Sequence, residues 1–591
     1  MAIELSNITF TDQDDIVPRS GVEQILNTGV ANTLAGNDII TGTGTDYGFE
    51  NVGALNTDDG NDTITGIGSP YSPGSLSSYY GISNSGTLNM AEGNDIITGS
   101  GGLDGIVNTG TFNTGEGNDI ITAKGGIGVG FDNTGTFNTG EGNDTITAGG
   151  RGDGISASGT FNTAEGDDVI TGGGLYGGIS IYNSIFDTGD GNDRISGNSG
   201  LFSEVSGVTS GISNYSSTFN TGDGNDTIEG SGVYGIYNKA LINTGNGKDI
   251  ITANGGNFNG GSGISNFSTI NTGIDDDIIT TAYGGIENYG NIDIGDGDDS
   301  IIAGTPNSPF MDALENFNAI ETGDGNDIIT STSSIYNQLG VITTGKGLSN
   351  DGTINTGNGN DIITSTATID NEGVINSGNA ISNDGTINTG NGQDSIISVG
   401  NFTNRGGVFL GEGNDSIAAS IIAEVGLPNR ALENFNFIGT GDGNDTITST
   451  GVIYNEGVIE TGNGDDSIIV NGAGTGYGIY NNGGAINMGD GNDSIIANEG
   501  FESGPNSSGA WFLGEDDDYI KGYGSGDFYG GNGNDTLELT PGTYTVGIWD
   551  TSAIFTKGNQ LMITSEFEKL IAGSTIYDFT SLTAGQTIIV A

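Results

Sequence analysis

The stretch NTGEGNDIITA at residues 113–123 decides the fold, because it recurs along most of the chain. Close copies are NTGEGNDTITA at 138–148, NTGDGNDTIEG at 220–230 and NTGNGNDIITS at 355–365. The last Asp of the phrase occurs 20 times between residues 38 and 535. The base unit is about 21–25 residues long, and longer steps carry insertions. Self-similarity at such a period is the signature of a repeat architecture.

The composition excludes several classes of protein. The 591 residues carry a formal net charge of −63 and include 113 glycines, no Cys and no His. Without Cys there are no disulfides or thiolate nucleophiles, and without His there is no imidazole base or histidine-ligated zinc. The negative charge repels phosphate backbones and anionic lipids, so nucleic acid and membrane partners are not expected, whereas cations are attracted. No apolar run approaches the ~18–20 residues of a membrane span.

Each repeat contains three short extended pieces bounded by Gly, Asn or Asp. The first resembles GISN (81–84), the second resembles GTFNT (110–114), and the third is the DxI segment that ends the phrase. Their Ile, Phe and Thr content and the absence of helical periodicity favour β-strands. A unit this small cannot bury its apolar face alone, but stacked units bury it jointly. We predict an all-β fold: a right-handed parallel β-solenoid (β-roll or β-helix) of roughly 20 coils with end caps.

Three columns of side chains are expected to run along the stack. The residue two places after each Asp is Ile in every copy but the last, where it is Leu537, and strand alternation points it inward. A second inward column contains Phe112, Phe137, Phe161, Phe186, Phe219, Ile242, Ile270 and Ile292. A third column is Asn at one bend, where amides can hydrogen-bond along the stack: Asn84, Asn108, Asn133, Asn183, Asn214, Asn238, Asn266 and Asn288.

The phrase contains the pattern G-x-G-N-D, whose x is often acidic, as in Glu116, Glu141 and Asp190. Carboxylates and turn carbonyls are hard oxygen donors, and Ca²⁺ takes about 6–8 of them. The two glycines permit positive φ, so the loop can curl its carbonyls around an ion. Stacking places successive Asp carboxylates together, and a divalent cation between them replaces repulsion with attraction. The alternative is that Asn-Asp only favours tight turns, but 20 copies in register favour calcium.

The segment GGNGNDTLE at 530–538 resembles the RTX (haemolysin-type) nonapeptide G-G-x-G-x-D-x-U-x, and the other copies resemble it from the second Gly onward over residues 33–540. The resemblance implies a Ca²⁺-binding parallel β-roll in which the sixth-position Asp is the side-chain ligand. RTX rolls use roughly 18 residues per coil, whereas one copy per about 24 residues predicts one metal-binding edge and a wider coil. Two copies, at 272–280 and 513–521, have Asp in place of a Gly.

The calcium ligands that the resemblance implies are the last Asp of each copy: Asp38, Asp62, Asp95, Asp119, Asp144, Asp168, Asp193, Asp226, Asp249, Asp277, Asp299, Asp327, Asp361, Asp394, Asp415, Asp445, Asp466, Asp493, Asp518 and Asp535.

The repeat divides the chain into three parts. Residues 1–30 are predicted to form an N-terminal cap, 31–540 the calcium-binding solenoid, and 541–591 a C-terminal cap. The N-terminus has no basic region followed by an apolar stretch, so a cleaved Sec signal is not expected. The RTX resemblance implies type I secretion through an uncleaved C-terminal signal, here in the tail DFTSLTAGQTIIVA at 578–591.

The sequence favours a non-enzymatic, secreted structural solenoid, such as a cell-surface, S-layer or adhesin-like rod that folds on binding extracellular Ca²⁺. Exposed Ile at the position after Asp, as in Ile39, Ile96 and Ile120, predicts self-association into an oligomer or filament. The alternative is a polysaccharide-active or polysaccharide-binding β-helix similar to lyases and epimerases, which makes a surface polysaccharide a further partner. Ice binding ranks lower, because an outward T-x-T occurs after only three of the 20 Asp residues.

Overall fold

The computed structural model of the protein describes residues 2–18, 23–71, 79–200, 209–255, 261–305, 311–338, 341–343, 346–370, 379–421, 429–472, 476–504 and 509–591. The chain forms two compact units, Met1–Asp296 and Gly297–Ala591. In each unit, parallel strands form three sheets, here named A, B and C. The described residues contain no α-helix, and no helix among them has the length and apolar character of a membrane span. The predicted all-β parallel β-solenoid is confirmed.

The three extended pieces of each repeat form one strand in each sheet of the N-terminal unit. Sheet A takes the pieces that resemble GISN, at Ala2–Glu4, Gln24–Asn27, Tyr47–Asn51, Tyr80–Asn84, Ile106–Asn108, Phe131–Asn133, Asp153–Ala157, Gly177–Ile181, Ser210–Asn214, Tyr234–Asn238, Ile264–Asn266 and Ile286–Asn288. Sheet B takes the segments after the Asp, at Ile16–Val17, Ile39–Gly44, Thr63–Gly68, Ile96–Ser100, Ile120–Lys124, Thr145–Gly149, Val169–Gly174, Arg194–Ser199, Thr227–Ser231, Ile250–Asn254 and Ile278–Thr281. Sheet C takes the pieces that resemble GTFNT, at Val30–Asn32, Ala54–Asn56, Thr87–Asn89, Thr111–Asn113, Thr136–Asn138, Thr160–Asn162, Ile185–Asp187, Thr218–Asn220, Leu241–Asn243, Thr269–Asn271 and Asn291–Asp293.

The C-terminal unit repeats this arrangement. Its sheet A contains Leu314–Asn316, Leu348–Asn350, Asn379–Asn383, Asn401–Asn404, Arg430–Asn434, Val452–Asn455, Ile479–Asn481 and Phe501–Ser503. Its sheet B contains Ser300–Thr305, Ile328–Gln338, Val341–Thr343, Ile362–Asp370, Ser395–Val399, Ser416–Ser420, Thr446–Ser449, Ser467–Val470, Ser494–Ala497, Tyr519–Lys521, Thr536–Leu539, Lys569–Ala572 and Thr575–Asp578. Its sheet C contains Ala319–Glu321, Thr353–Asn355, Thr386–Asn388, Gly407–Phe409, Phe437–Gly439, Val458–Asn463, Ala485–Asp490, Ala510–Glu515, Gly526–Asn532, Gly542–Trp549, Ser552–Lys557, Gln560–Ser565 and Thr587–Val590.

The two ends of the chain differ in strand direction. In residues 1–30, of which 1 and 19–22 lie outside the described residues, Ala2–Glu4 and Ile16–Val17 already pair in parallel with the repeat strands that follow them. A 3-10 helix lies at Leu5–Asn7. In residues 541–591 antiparallel pairs appear, as between Gly542–Trp549 and Ser552–Lys557, while Gln560–Ser565 and Lys569–Ala572 still pair in parallel with repeat strands. A second 3-10 helix lies at Phe579–Ser581. The division into two caps and a solenoid stays a prediction.

The core consists of stacked identical side chains in register. Every member of the predicted Ile column is at most 1% exposed, including Leu537. In sheet C, Phe112 pairs with Phe137 and Phe137 with Phe161, and the predicted Phe and Ile column is fully buried. Adjacent rings contact each other directly, with centroids 5.5 Å apart between the first two and 4.8 Å apart between the second two. Parallel in-register stacking therefore converts a short repeat into a continuous apolar core.

The Asn column forms a hydrogen-bonded ladder, as predicted, with one correction. The Asn84 Nδ2 donates to Asn108 Oδ1 at 2.8 Å, and the Asn108 Nδ2 donates to Asn133 Oδ1 at 2.7 Å. Asn183 is not in the ladder, because Ile181 occupies that register position and pairs with Asn214. Asn183 lies two residues later, in a turn with φ of 48°. Residues inserted in this coil move Asn183 away from the ladder position that the sequence motif predicted for it.

The outer face of sheet B carries the predicted apolar stripe. Ile39, Ile96, Ile120 and Ile250 are each between 38% and 46% exposed. In these strands each exposed Ile is next to a member of the buried Ile column, so the stripe follows from the two-residue period of a β-strand. Whether a second copy of the chain covers it stays a prediction.

Candidate metal site in the acidic turns

Each G-x-G-N-D segment, here called an acidic turn, connects sheet C to sheet B and requires positive φ at two positions. In the turn at 140–144 these are Gly140, with φ of 90°, and Gly142, with φ of 144°. Where the second Gly is replaced, Asp275 and Asp516 still adopt φ of 84° and 77°. The two copies with Asp in place of Gly therefore keep the turn conformation, although positive φ is strained for an L-residue.

Close stacking of the acidic turns explains why glycine is used. A Cβ on Gly142 would lie 1.8 Å from the carbonyl oxygen of Gly117 in the preceding turn. A Cβ on Gly140 would lie 2.0 Å from the carbonyl oxygen of Gly115. The glycine carbonyl oxygens thus occupy the space that side chains would otherwise fill. They form two files of oxygen atoms along the stack.

All 20 predicted Asp ligands are buried, with at most 2% of each residue exposed. This burial was not expected from the sequence, which placed the acids along one edge of the stack. One carboxylate oxygen accepts a backbone N–H from the preceding turn: the Asp119 N–H donates to Asp144 Oδ1 at 2.8 Å, and the Asp144 N–H donates to Asp168 Oδ1 at 2.7 Å. Within each unit the Asp column is therefore a ladder in which Oδ1 accepts a backbone N–H.

The second carboxylate oxygen is the unusual atom. Among the described residues, Oδ2 is buried without a hydrogen-bond partner in Asp38, Asp62, Asp95, Asp119, Asp144, Asp168, Asp193, Asp249, Asp394, Asp415, Asp445, Asp466, Asp493, Asp518 and Asp535. A buried carboxylate oxygen with no donor is costly unless a proton or a cation compensates it. The column therefore presents a file of oxygen atoms, each of which needs a positive partner.

A threonine five residues before the Asp lies on the same side of the turn, and sequence reasoning missed its role. The Thr356 hydroxyl donates to Asp361 Oδ2 at 2.6 Å, and Thr221 and Thr322 donate to Asp226 and Asp327 in the same way. The signal was present in the phrase as the Thr of N-T-G. Where Met90 replaces this Thr, Asp95 has no such donor among the described residues.

Burial raises the pKa of these carboxyl groups. Burial, with a smaller contribution from the carboxylates of Asp119 and Asp62, raises the pKa of Asp95 to about 8. Burial raises the pKa of Asp144 to about 7 and that of Asp168 to about 8, although each carboxylate accepts a backbone N–H. Without a cation, the neutral acid is the favoured form of many of these groups near neutral pH.

The pKa shifts predict how the metal-free chain responds to pH. The folded state holds protons that the unfolded chain, with Asp near 3.8, releases. Folding stability is therefore fully present below about pH 4 and is lost as the pH rises to about 8. With a chelator present, we expect a higher thermal midpoint at pH 5 than at pH 8, even in about 1 M NaCl, where repulsion among exposed acids is screened. A midpoint that stayed constant or rose over this range would contradict the prediction.

The remaining acids of the turns face solvent. Glu92, Glu116, Glu141 and Glu165 line an open groove along the turns of the N-terminal unit. The residue before the Asp, usually Asn, is also exposed, and such residues form an outer ladder, as where the Asn118 N–H donates to Asn94 Oδ1 at 2.7 Å. Within the described part of the chain, no group of three or more acidic side chains is placed to hold a metal ion. A metal in these turns would therefore depend on backbone carbonyl oxygens as well as Asp.

Comparison with known proteins finds similarity only to solved structures, of which three chains match. No family model matches the chain, and no curated protein matches it. Among solved structures, the chain is similar to the X-ray crystal structure of a hyperactive, Ca²⁺-dependent, β-helical antifreeze protein from an Antarctic bacterium. The identity is 18% and the TM-score is 0.30, over 60% of this chain and 78% of that chain. At this TM-score the similarity carries no argument about function.

Proposed function

We propose that the chain is a calcium-binding structural solenoid whose acidic turns hold Ca²⁺ ions between adjacent coils. The observation that carries the proposal is the file of buried Asp Oδ2 atoms that have no hydrogen-bond partner in the described residues. In this role each Asp would contribute Oδ2, and the two glycines of the turn would contribute carbonyl oxygens. These are hard oxygen donors, which suit Ca²⁺. The bound ion supplies positive charge between carboxylates that otherwise repel each other.

Calcium fits these oxygen ligands better than Mg²⁺, Zn²⁺ or a proton does. Backbone carbonyls and one carboxylate per turn form a flexible oxygen cage, whereas Mg²⁺ needs near-ideal octahedral geometry and keeps several waters. Zn²⁺ in proteins is bound mainly by Cys and His, and the chain contains neither residue. A proton can neutralise a single Asp, but it does not hold two neighbouring carboxylates together as a divalent cation does.

We further propose that the protein is secreted and acts outside the cell as a non-enzymatic surface rod of the RTX type. Ligand binding that is coupled to folding makes the folded state depend on calcium concentration. The chain would remain unfolded where calcium is scarce and fold where calcium is plentiful, which suits export by a type I route. Release of the full chain into the medium by cells with a type I exporter, but not by cells without one, tests this part.

Equilibrium dialysis of the full chain against radioactive calcium tests the binding claim. At about 2 mM free calcium, we expect on the order of 18–20 ions per chain, one for each gap between stacked acidic turns. A tenfold excess of magnesium should displace few of them. A folded chain that bound fewer than about five ions would contradict the proposal.

A further inference from the structure

Three consecutive coils of the C-terminal unit carry two phenylalanines and an acid on the outer face of sheet C. The two strands before them carry the outward pair Thr-x-Asn, at Thr353–Asn355 and Thr386–Asn388. The next three strands carry instead Gly-x-Phe at 407–409, Phe-x-Gly at 437–439 and Val-x-Glu at 458–460.

These three coils lack a stabilising hydrogen bond that the preceding coils form. The Asn388 Nδ2 donates to Asn355 Oδ1 at 2.8 Å in the outer ladder of sheet C. Phe409, Gly439 and Glu460 occupy the next three positions of that ladder, and their side chains cannot continue it. Phe409 is instead 42% exposed, which is unfavourable for a phenyl ring unless something covers it.

The two phenyl rings lie down along their own strands, each over a glycine. A Cβ on Gly407 would lie 2.6 Å from the Phe409 ring, and a Cβ on Gly439 would lie 2.7 Å from the Phe437 ring. Gly407 pairs with Phe437 and Phe409 pairs with Gly439, so the rings lie side by side on neighbouring strands. Their centroids are 5.2 Å apart, and their planes differ by 32°. Each glycine is needed because any side chain there would lift the ring.

The rings border a shallow cavity of about 240 Å³ that is lined by glycines and one acid. Its lining contains, besides the two rings, Gly439, the first glycines of three turns and Glu460. The site thus combines a flat aromatic wall with a carboxylate that accepts hydrogen bonds from hydroxyl groups. Small-molecule sites typically combine an apolar surface with a few polar groups in this way.

We propose that this Phe409–Phe437 platform binds the pyranose rings of a neutral polysaccharide. One face of a pyranose ring carries C–H groups, whose partial positive charge is attracted to the negative face of a phenyl ring. Two rings about 5 Å apart offer stacking positions to neighbouring sugars, and Glu460 accepts from their hydroxyls. The chain carries a formal charge of −63, so uronic acid polymers and other polyanions are repelled. The inference requires a folded chain but not that Asp is the calcium ligand.

Saturation-transfer NMR on the full chain in calcium buffer tests the platform. The probes are cellohexaose, mannohexaose and xylohexaose as neutral chains and hexagalacturonate as the polyanion. We expect transfer to at least one neutral chain and none to hexagalacturonate. Phe409→Ala and Phe437→Ala should each weaken binding about five- to tenfold. The control is Leu561→Ala, an exposed apolar side chain on sheet C that does not line the cavity, and binding should change less than about twofold.

Gly439→Ala gives a second, independent readout. Gly439 does not have the positive φ that excludes other residues, so Ala fits the backbone but must displace the Phe437 ring. We expect this variant to lose binding as strongly as Phe437→Ala while its circular dichroism spectrum stays unchanged. The inference is overturned if no neutral chain binds, if hexagalacturonate binds equally well, or if the double Phe variant retains full affinity. A failure of calcium-dependent folding would appear separately in the circular dichroism spectra.

Discussion

In a chelating buffer at pH 7.5, the chain is expected to lose most of its β-sheet circular dichroism signal and to regain it when calcium is restored. Fifteen buried Asp side chains would then either have a charged oxygen with no cation beside it or hold a proton that the unfolded chain releases at this pH. Each uncompensated buried carboxylate costs about 1–3 kcal/mol or more, whereas a folded domain is stable by only about 5–15 kcal/mol. The sum exceeds what the apolar columns can offset.

The control for this experiment is magnesium at the same concentration as calcium. Mg²⁺ supplies the same charge but fits a carbonyl-rich cage poorly, so it should restore little of the signal. Recovery with either ion would indicate general charge screening. A spectrum that does not change on chelation at neutral pH would contradict the calcium proposal, because the Asp column would then be stable without a cation.

The second large effect is expected from Asp144→Asn, and its sign should depend on calcium. Asn keeps the oxygen that accepts the Asp119 N–H but removes the charge on the buried side of the turn. With calcium present, the loss of a ligand should destabilise the surrounding coils by about 2–3 kcal/mol. Without calcium, Asn avoids a buried charge, so the same variant should be more stable than the wild type by on the order of 2 kcal/mol.

The matched control is Glu141→Gln in the same acidic turn. It removes the same formal charge from an exposed side chain that lines the outer groove. Native-state hydrogen exchange of the peptide at 138–149 reads the stability of this coil locally. We expect changes within about 0.5 kcal/mol for the control under both conditions. If Asp144→Asn had the same sign of effect with and without calcium, Asp144 would be a turn residue and not a ligand.

The repeat was sufficient to predict the sheets and the core. Strand alternation placed Ile121 and its equivalents inside, and in-register stacking placed Phe112 against Phe137, as the structure has them. The same alternation also points Asp119, two residues before Ile121, inward. The sequence predicted one metal-binding edge but not the burial of its Asp side chains, because charged residues are rarely buried.

Other features could not be predicted from the repeat because they depart from it. The position of Asn183 depends on where the chain accommodates an insertion, which the motif alone does not specify. The role of Thr221 beside Asp226 depends on the curvature of the turn, which brings together residues five apart. The Phe409–Phe437 platform lies where Phe and Gly replace Thr and Asn. The residues that the repeats share do not identify such positions.

The acidic turns and the Phe platform use glycine for different reasons. In the turns, glycine is required by positive φ and by the carbonyl oxygen of the preceding coil, as at Gly142. At Gly439, the backbone is ordinary and glycine only leaves room for a ring. A substitution to Ala should therefore disrupt folding at the first kind of position and only move a side chain at the second.

The central claim is that calcium lies between adjacent acidic turns beside the buried Asp oxygens. The most direct measurement is an anomalous difference map from crystals of the full chain grown with calcium and collected at a long X-ray wavelength. The proposal predicts one peak between each pair of stacked turns, within about 2.3–2.6 Å of an Asp Oδ2 and of glycine carbonyl oxygens. A folded solenoid with no anomalous peaks in the acidic turns would contradict it.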